Sequence, residues 1–282
     1  MILIDEAKKV TEYYRSNPKV DVVYISGSVS RGWADEYSDI EINVLWNKDP
    51  TDEERLYPMK ERGGEILDFY PYEDEEWSET YMVSNIKYEI SNFRTTTFQR
   101  IISDLLIKYN GDIEKQVLLA SLQSGIPLIG KDIFKDLRRQ MDLYPSALTI
   151  HLINEYKEGT NRWHSRYALL ERNDWYMLQQ VLFSVERNIL ILLFALNKQF
   201  IQHPGFKWLE KSVNELEVKP ADFLQRLEKI HIGQLAMEGL QELEKLLEET
   251  YRLIEKEYPE VDLNEVKQKS KLIRPTSNNS FN

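Results

Sequence analysis

The stretch Val20-Asp21-Val22-Val23-Tyr24-Ile25-Ser26 is β-branched or aromatic at most positions and stops abruptly at Gly27-Ser28, which is a strand running into a tight turn. Asn17-Pro18 just ahead of it ends whatever helix precedes. After a polar segment from Arg31 to Ser38, Ile40-Glu41-Ile42-Asn43-Val44-Leu45-Trp46 alternates apolar with polar residues and then becomes wholly apolar, as a second strand would. A period of two puts Asp39, Glu41 and Asn43 on one face of that strand. The early part of the chain is thereby committed to a sheet with an acidic face close to a glycine turn.

The surrounding pattern is mixed and then purely helical. Ile4, Ala7, Val10 and Tyr14 recur at helical spacing, predicting an amphipathic helix over Ile4 to Ser16. Further strands are expected at Glu65 to Tyr70 and Ile86 to Phe93, separated by an acidic loop around Glu73 to Glu79 in which the run Glu73 to Glu76 reads as solvated. From Thr96 onward the periods lengthen: Phe98 to Tyr109, Ile113 to Ser124, Ala147 to Leu170, Trp175 to Asn197 and Leu235 to Glu257, with breaks at Gly125-Ile126-Pro127, Tyr144-Pro145 and His203-Pro204-Gly205. The expected fold class is α+β, with a sheet domain over 1–95, an all-α domain over 96–275 and a disordered tail over 276–282.

Charge and composition narrow the chemistry. A formal net charge of −11 opposes broad attraction to nucleic acid or anionic lipid, so neither is expected as a partner. With no cysteine and four histidines, thiolate chemistry is excluded and a His-rich zinc site is not expected, which leaves a hard ion on oxygen ligands. The first residues carry acids and lysines in place of a secretory apolar run, and Ile189 to Leu196 is shorter than the roughly 20 residues that cross a bilayer. A cytoplasmic location is expected. The apolar stretch Val181 to Leu196 suits a domain core or a homodimer interface alike.

At Gly27 the backbone can come close to a ligand, successive amides of the turn can face an anion, and Ser28 adds a hydroxyl donor. Asp39 and Glu41 would repel each other unless a cation sat between them. Mg²⁺, or Mn²⁺, suits a pair of carboxylates whose coordination is completed by water and phosphate oxygens. Triphosphate chemistry follows from the two features together.

These residues resemble the polymerase-beta-like nucleotidyltransferases, whose signature is Gly-Ser, a spacer, and Asp-x-Asp or Asp-x-Glu on the following strand; here it reads Gly27-Ser28 and Asp39-Ile40-Glu41. The helical region that follows is similar to the second domain of bacterial small-molecule nucleotidyltransferases, such as those that modify aminoglycosides and lincosamides. The resemblance implies a short mixed sheet flanked by helices, a nucleoside triphosphate substrate and a Mg²⁺ site at Asp39 and Glu41. It also implies transfer of a nucleoside monophosphate to a hydroxyl of a small-molecule acceptor, with loss of pyrophosphate. It calls for a third metal-holding carboxylate that takes the acceptor proton, for which Glu89 is the candidate and Asp68 the second choice. Arg31 would neutralise triphosphate charge or make a surface ion pair. Glu41 stands where aspartate is commoner, so a non-catalytic nucleotide-binding regulatory protein is the alternative. In the helical region, Glu155, Glu171 and Glu186 are equal candidates for an acceptor-side base. Arg226 and His231 have the spacing of a helical ribonuclease motif, which Leu227 and the acidic charge argue against.

Overall fold

A computed structural model describes residues 2–232 and 236–275, so the tail expected over 276–282 and residue 235 of the predicted 235–257 helix lie outside the described residues. The chain is α+β and divides into two compact units. The first runs to Lys108 and resumes over Glu114–Leu143; the second comprises Tyr109–Ile113 and the chain from Tyr144 onward.

In the first unit, helix α1 (Ile2–Thr11) leads to β1 (Val20–Ile25), a single helical turn α2 (Gly27–Ser30) and β2 (Ile40–Trp46). Helix α3 (Asp52–Glu61) follows, then β3 (Glu65–Phe69), β4 (Trp77–Val83) and β5 (Ile86–Arg94). Helices α4 (Thr95–Leu106) and α5 (Ile113–Ser124), strand β6 (Ile126–Ile129) and helix α6 (Lys131–Arg139) complete the run. The six strands form one mixed sheet in the order β3-β4-β5-β2-β1-β6, in which β2 and β5 are parallel and the other neighbours antiparallel. The division expected at residue 95 therefore falls inside this unit. Residues 126–129, read from sequence as a break, pair with β1 and bring α4 to α6 with them; a Gly-Ile-Pro sequence interrupts a helix but is tolerated in an edge strand.

Alternation sorts the two faces. Ile40, Ile42, Val44 and Trp46, with Tyr88 and Ile90 of β5, face Ala7 and Val10 of α1 and Met59 of α3, forming the main core of the unit. Thr51 starts α3 with a capping box shared with Glu54. The opposite face changes character along β2: Leu45 and Phe93 are buried and Phe98 of α4 packs edge-on against Phe93 and Tyr24, whereas Asp39, Glu41 and Glu89, nearer the strand starts, remain accessible.

One charged network lies inside the core face. Arg55 of α3 is fully buried and donates to Glu79 Oε2 from Nε at 2.8 Å and Nη2 at 2.6 Å, with Nη2 also donating to the carbonyls of Tyr70 and Ser78. Asn92 Nδ2 donates to the other Glu79 oxygen at 2.9 Å, and its own carbonyl accepts from Trp46 Nε1. Burial raises the Glu79 carboxyl, and Arg55 and Asn92 pull it back down.

The second unit is helical. It contains α7 (Ser146–Tyr156), α8 (Arg166–Glu171), α9 (Trp175–Leu196), α10 (Leu209–Asn214), α11 (Phe223–Ile232), α12 (Ala236–Glu257) and α13 (Asn264–Lys271). By length and composition α9 is apolar enough to cross a bilayer, with a mean hydropathy of 1.4, but 61% of that window is buried against its neighbours α7, α8 and α12, as in a central core helix. Arg166 is buried too, donating to Glu244 and to the carbonyls of Trp163 and Leu272, which ties the last described residues to the bundle.

Removing one partner of a buried ion pair strands the other, whereas removing both leaves an apolar contact. Arg55→Met is expected to cost about 3–5 kcal/mol in urea unfolding, and the double variant Arg55→Met/Glu79→Met to recover most of that loss. Equal losses in the single and double variants would show that Glu79 is not held by Arg55.

Candidate functional site

The parallel pairing of β2 with β5 places Glu41 directly opposite Glu89, Ile40 opposite Tyr88 and Asn43 opposite Ser91. Asp39 precedes β2 by one residue and shares the face of Glu41, as Lys87 shares that of Glu89. The carboxylates expected to work together thus belong to one patch built from two adjacent strands. Asp68 is on the same row, since it pairs with Thr80 and Thr80 with Glu89, but two strand spacings separate it from Glu89, about 10 Å. Glu89, not Asp68, neighbours the Asp39-x-Glu41 pair.

The turn is fastened to the same strand. Ser26 N–H donates to the Glu41 carbonyl at 3.0 Å, and Asn43 Nδ2 donates to Ser26 Oγ at 2.8 Å, so the start of α2 is pinned to β2 by backbone and side chain. Gly27 has φ +64°, and a Cβ there would lie 2.2 Å from Glu41 Oε1. Glycine is favoured by the left-handed backbone, and the Glu41 carboxylate occupies the space that a side chain here would take. Ser28 is buried in this turn. Arg31 at its end has its guanidinium 5.5 Å from the Trp33 ring centre and Nη2 3.5 Å from the Ala120 carbonyl of α5, placing it beside the turn.

Lys87 was not anticipated from sequence. Its Nζ is 3.5 Å from Asp39 Oδ2 and donates a short bond to Glu89 Oε1, so an ammonium bridges the two acids. The bond from Glu89, chiefly, holds the ammonium above the usual lysine range. A Lys-x-Glu opposite an Asp-x-Glu is visible in sequence only if the parallel register of two strands far apart in the chain is already known. The sequence places Glu76 in a solvated loop. Glu73 and Asp74 to Glu76 do form a tight exposed turn, but Glu76 itself is half-buried, its carboxyl raised by that burial and bonded by Ser91 on the site face.

Among the described residues, no three His, Asp or Glu side chains converge closely enough to hold a metal ion as they stand. Oxygen donors of the kind a hard cation prefers are present, and the Lys87 ammonium stands in for such a cation between Asp39 and Glu89. The donor chemistry fits Mg²⁺ once that ammonium moves aside.

In the second unit the three glutamates weighed alike in sequence separate clearly. Glu155 is exposed and 3.4 Å from His151, and Glu171 is exposed at the end of α8. Glu186 is buried, with its Oε2 2.7 Å from His231 Nε2. Arg226 is engaged elsewhere, in ion pairs with Glu242 and Glu249. His203-Pro204-Gly205 is the expected turn, with His203 Nδ1 accepting from the Gly205 amide at 3.0 Å.

Gly27→Ala is expected to cost about 1–2 kcal/mol of stability through left-handed strain. The new methyl also pushes the flexible Glu41 carboxylate away from the turn. Adding Glu41→Ala to Gly27→Ala removes the clash but not the strain, so thermal melts of the two variants are expected to differ less from each other than either does from the parent. A Gly27→Ala protein that melts like the parent would contradict the left-handed turn.

Residues 112–209 match the sequence pattern of a domain of unknown function, DUF4037. No curated protein matches the chain. Among solved structures, a nucleotidyltransferase-like protein from Exiguobacterium sibiricum 255-15 is similar to 92% of this chain and 80% of its own, at 11% identity and a TM-score of 0.42.

Proposed function

We propose that this protein is a nucleotidyltransferase that moves a nucleoside monophosphate from a nucleoside triphosphate to a hydroxyl group of a small-molecule acceptor. The observation that carries the reading is the register of β2 on β5, which sets Glu41 opposite Glu89 beside the Gly27 turn, on the face where the Asp39-x-Glu41 signature calls for a third acid.

In this reading the triphosphate lies against the amides of the turn that starts at Gly27, where Ser28 can donate a hydroxyl hydrogen bond, and the Glu41 carboxylate that fills the space beside Gly27 turns away from the turn towards the metal. Arg31, at the end of the turn, faces the far phosphates. Asp39, Glu41 and Glu89 would hold Mg²⁺ or Mn²⁺, which when bound supplies the positive charge that the reacting phosphates require. Glu89 accepts the acceptor's hydroxyl proton as that oxygen bonds to the α-phosphorus, and the bond from the α-phosphorus to the departing pyrophosphate breaks. Lys87 must release Glu89 for this role; at 41% side-chain exposure it has room to swing into solvent.

A second reading is favoured by the same lysine. If the ammonium is a permanent replacement for the metal, the site binds nucleotide without turning it over, as a regulatory module would.

Calorimetric titration with ATP and GTP, with and without Mg²⁺, separates the two. For the transferase, binding is expected to require Mg²⁺, to disappear in Asp39→Ala and to tighten several-fold in Lys87→Met, where the internal competitor is gone. Binding that ignores Mg²⁺ and is lost in Lys87→Met would support the regulatory module, and no binding at all would remove both.

A further inference from the structure

The second unit contains a cleft of about 940 Å³ between α9, α10 and α11, within the range of small-molecule sites. Its wall is mostly apolar, from Phe183, Leu190, Phe206, Leu209 and Leu227, yet the buried Glu186 is among the residues that line it. That carboxylate is only 5% exposed. Its Oε2 is bonded to His231, while Oε1 is buried and has no hydrogen-bond partner. An idle acceptor on a buried acid is costly, and a core glutamate retained solely for the His231 bond would have no reason to border an open cavity. His231 is itself held in place, its ring stacked on Phe183 at 4.6 Å between centroids and 14° between planes.

We propose that this cleft is a binding site for an organic amine, a ligand with an apolar body whose protonated nitrogen donates to Glu186 Oε1 as the carboxylate turns towards the cleft. Charge agrees with the chemistry. The lining carries the carboxylates of Glu186, Glu210 and Glu228 against the guanidinium of Arg187 and an imidazole, His231, that is cationic only when protonated, so acids outnumber fixed cations and the cleft favours a cation. The apolar wall covers the ligand's body. Burial pushes the Glu186 carboxyl above the usual carboxylate range, with His231 opposing it, so an arriving cation stabilises the anion that the empty cleft disfavours. The site lies wholly within the second unit and does not depend on the reaction proposed for the first.

The test uses the full chain and two probes matched in ring and chain length but opposite in charge, phenylbutylamine and phenylbutyrate, followed by calorimetry and thermal shift. The amine is expected to bind and raise the melting temperature, and the carboxylate to do neither. Glu186→Gln should weaken amine binding by about tenfold or more, the scale of a charge-assisted bond. Leu209→Trp fills the cleft while leaving Glu186 and His231 in place, and is expected to abolish binding even if Glu186→Gln folds poorly. Equal binding of both probes, undiminished binding by either variant, or no amine binding at the probe's solubility limit would each overturn the proposal.

Discussion

Because β2 and β5 run parallel in strict register, every residue of one strand has a fixed neighbour on the other, and the alternation of side chains separates two chemistries across the thickness of a single sheet. Ile40, Ile42 and Val44 go to the core with Tyr88 and Ile90; Asp39, Glu41, Lys87 and Glu89 go to the opposite face. A slip of one residue would put the acids into the core, so the hydrophobic contacts that stabilise the sheet also hold the charged row in register. The β4–β5 hairpin reverses the chain so that β5 can run alongside β2 in this sense.

The core face tolerates charge where the charge is fully partnered. Glu79 is on β4, one residue away from Thr80, and therefore points away from the site row into the core, where Arg55 and Asn92 bond both its oxygens. Asp39 and Glu89 are treated differently, sharing a half-exposed lysine in place of a buried guanidinium. The contrast is between an ion pair locked by desolvation and one that can exchange its cation.

Much of this was legible in the sequence because it rests on local signals. The strand ending at Gly27-Ser28, the alternation from Asp39 to Leu45 and the run around Glu89 each carry period-two patterns, and the structure has β1, β2 and β5 there. What remained hidden depends on pairing. Strand β6 is four residues with a proline, too short to show a period, and is defined by its hydrogen bonds to β1; for that reason the first unit extends past residue 95. Lys87 gained its role from the β2–β5 register, and Glu186 could not be told from Glu155 or Glu171 because its distinguishing partner, His231, is on another helix.

The ends of the sheet bear on how copies of this protein meet. On one side the edge is β6, where Pro127 offers no amide hydrogen and the register shifts against β1. On the other it is β3, where Glu65 and Asp68 are exposed and a bulge interrupts the pairing with β4. Neither edge is a good template for a further strand. Fibre-like stacking through the sheet is therefore disfavoured at both ends, and a partner protein that recruits this chain has to read its side chains, because its free backbone gives little to grip.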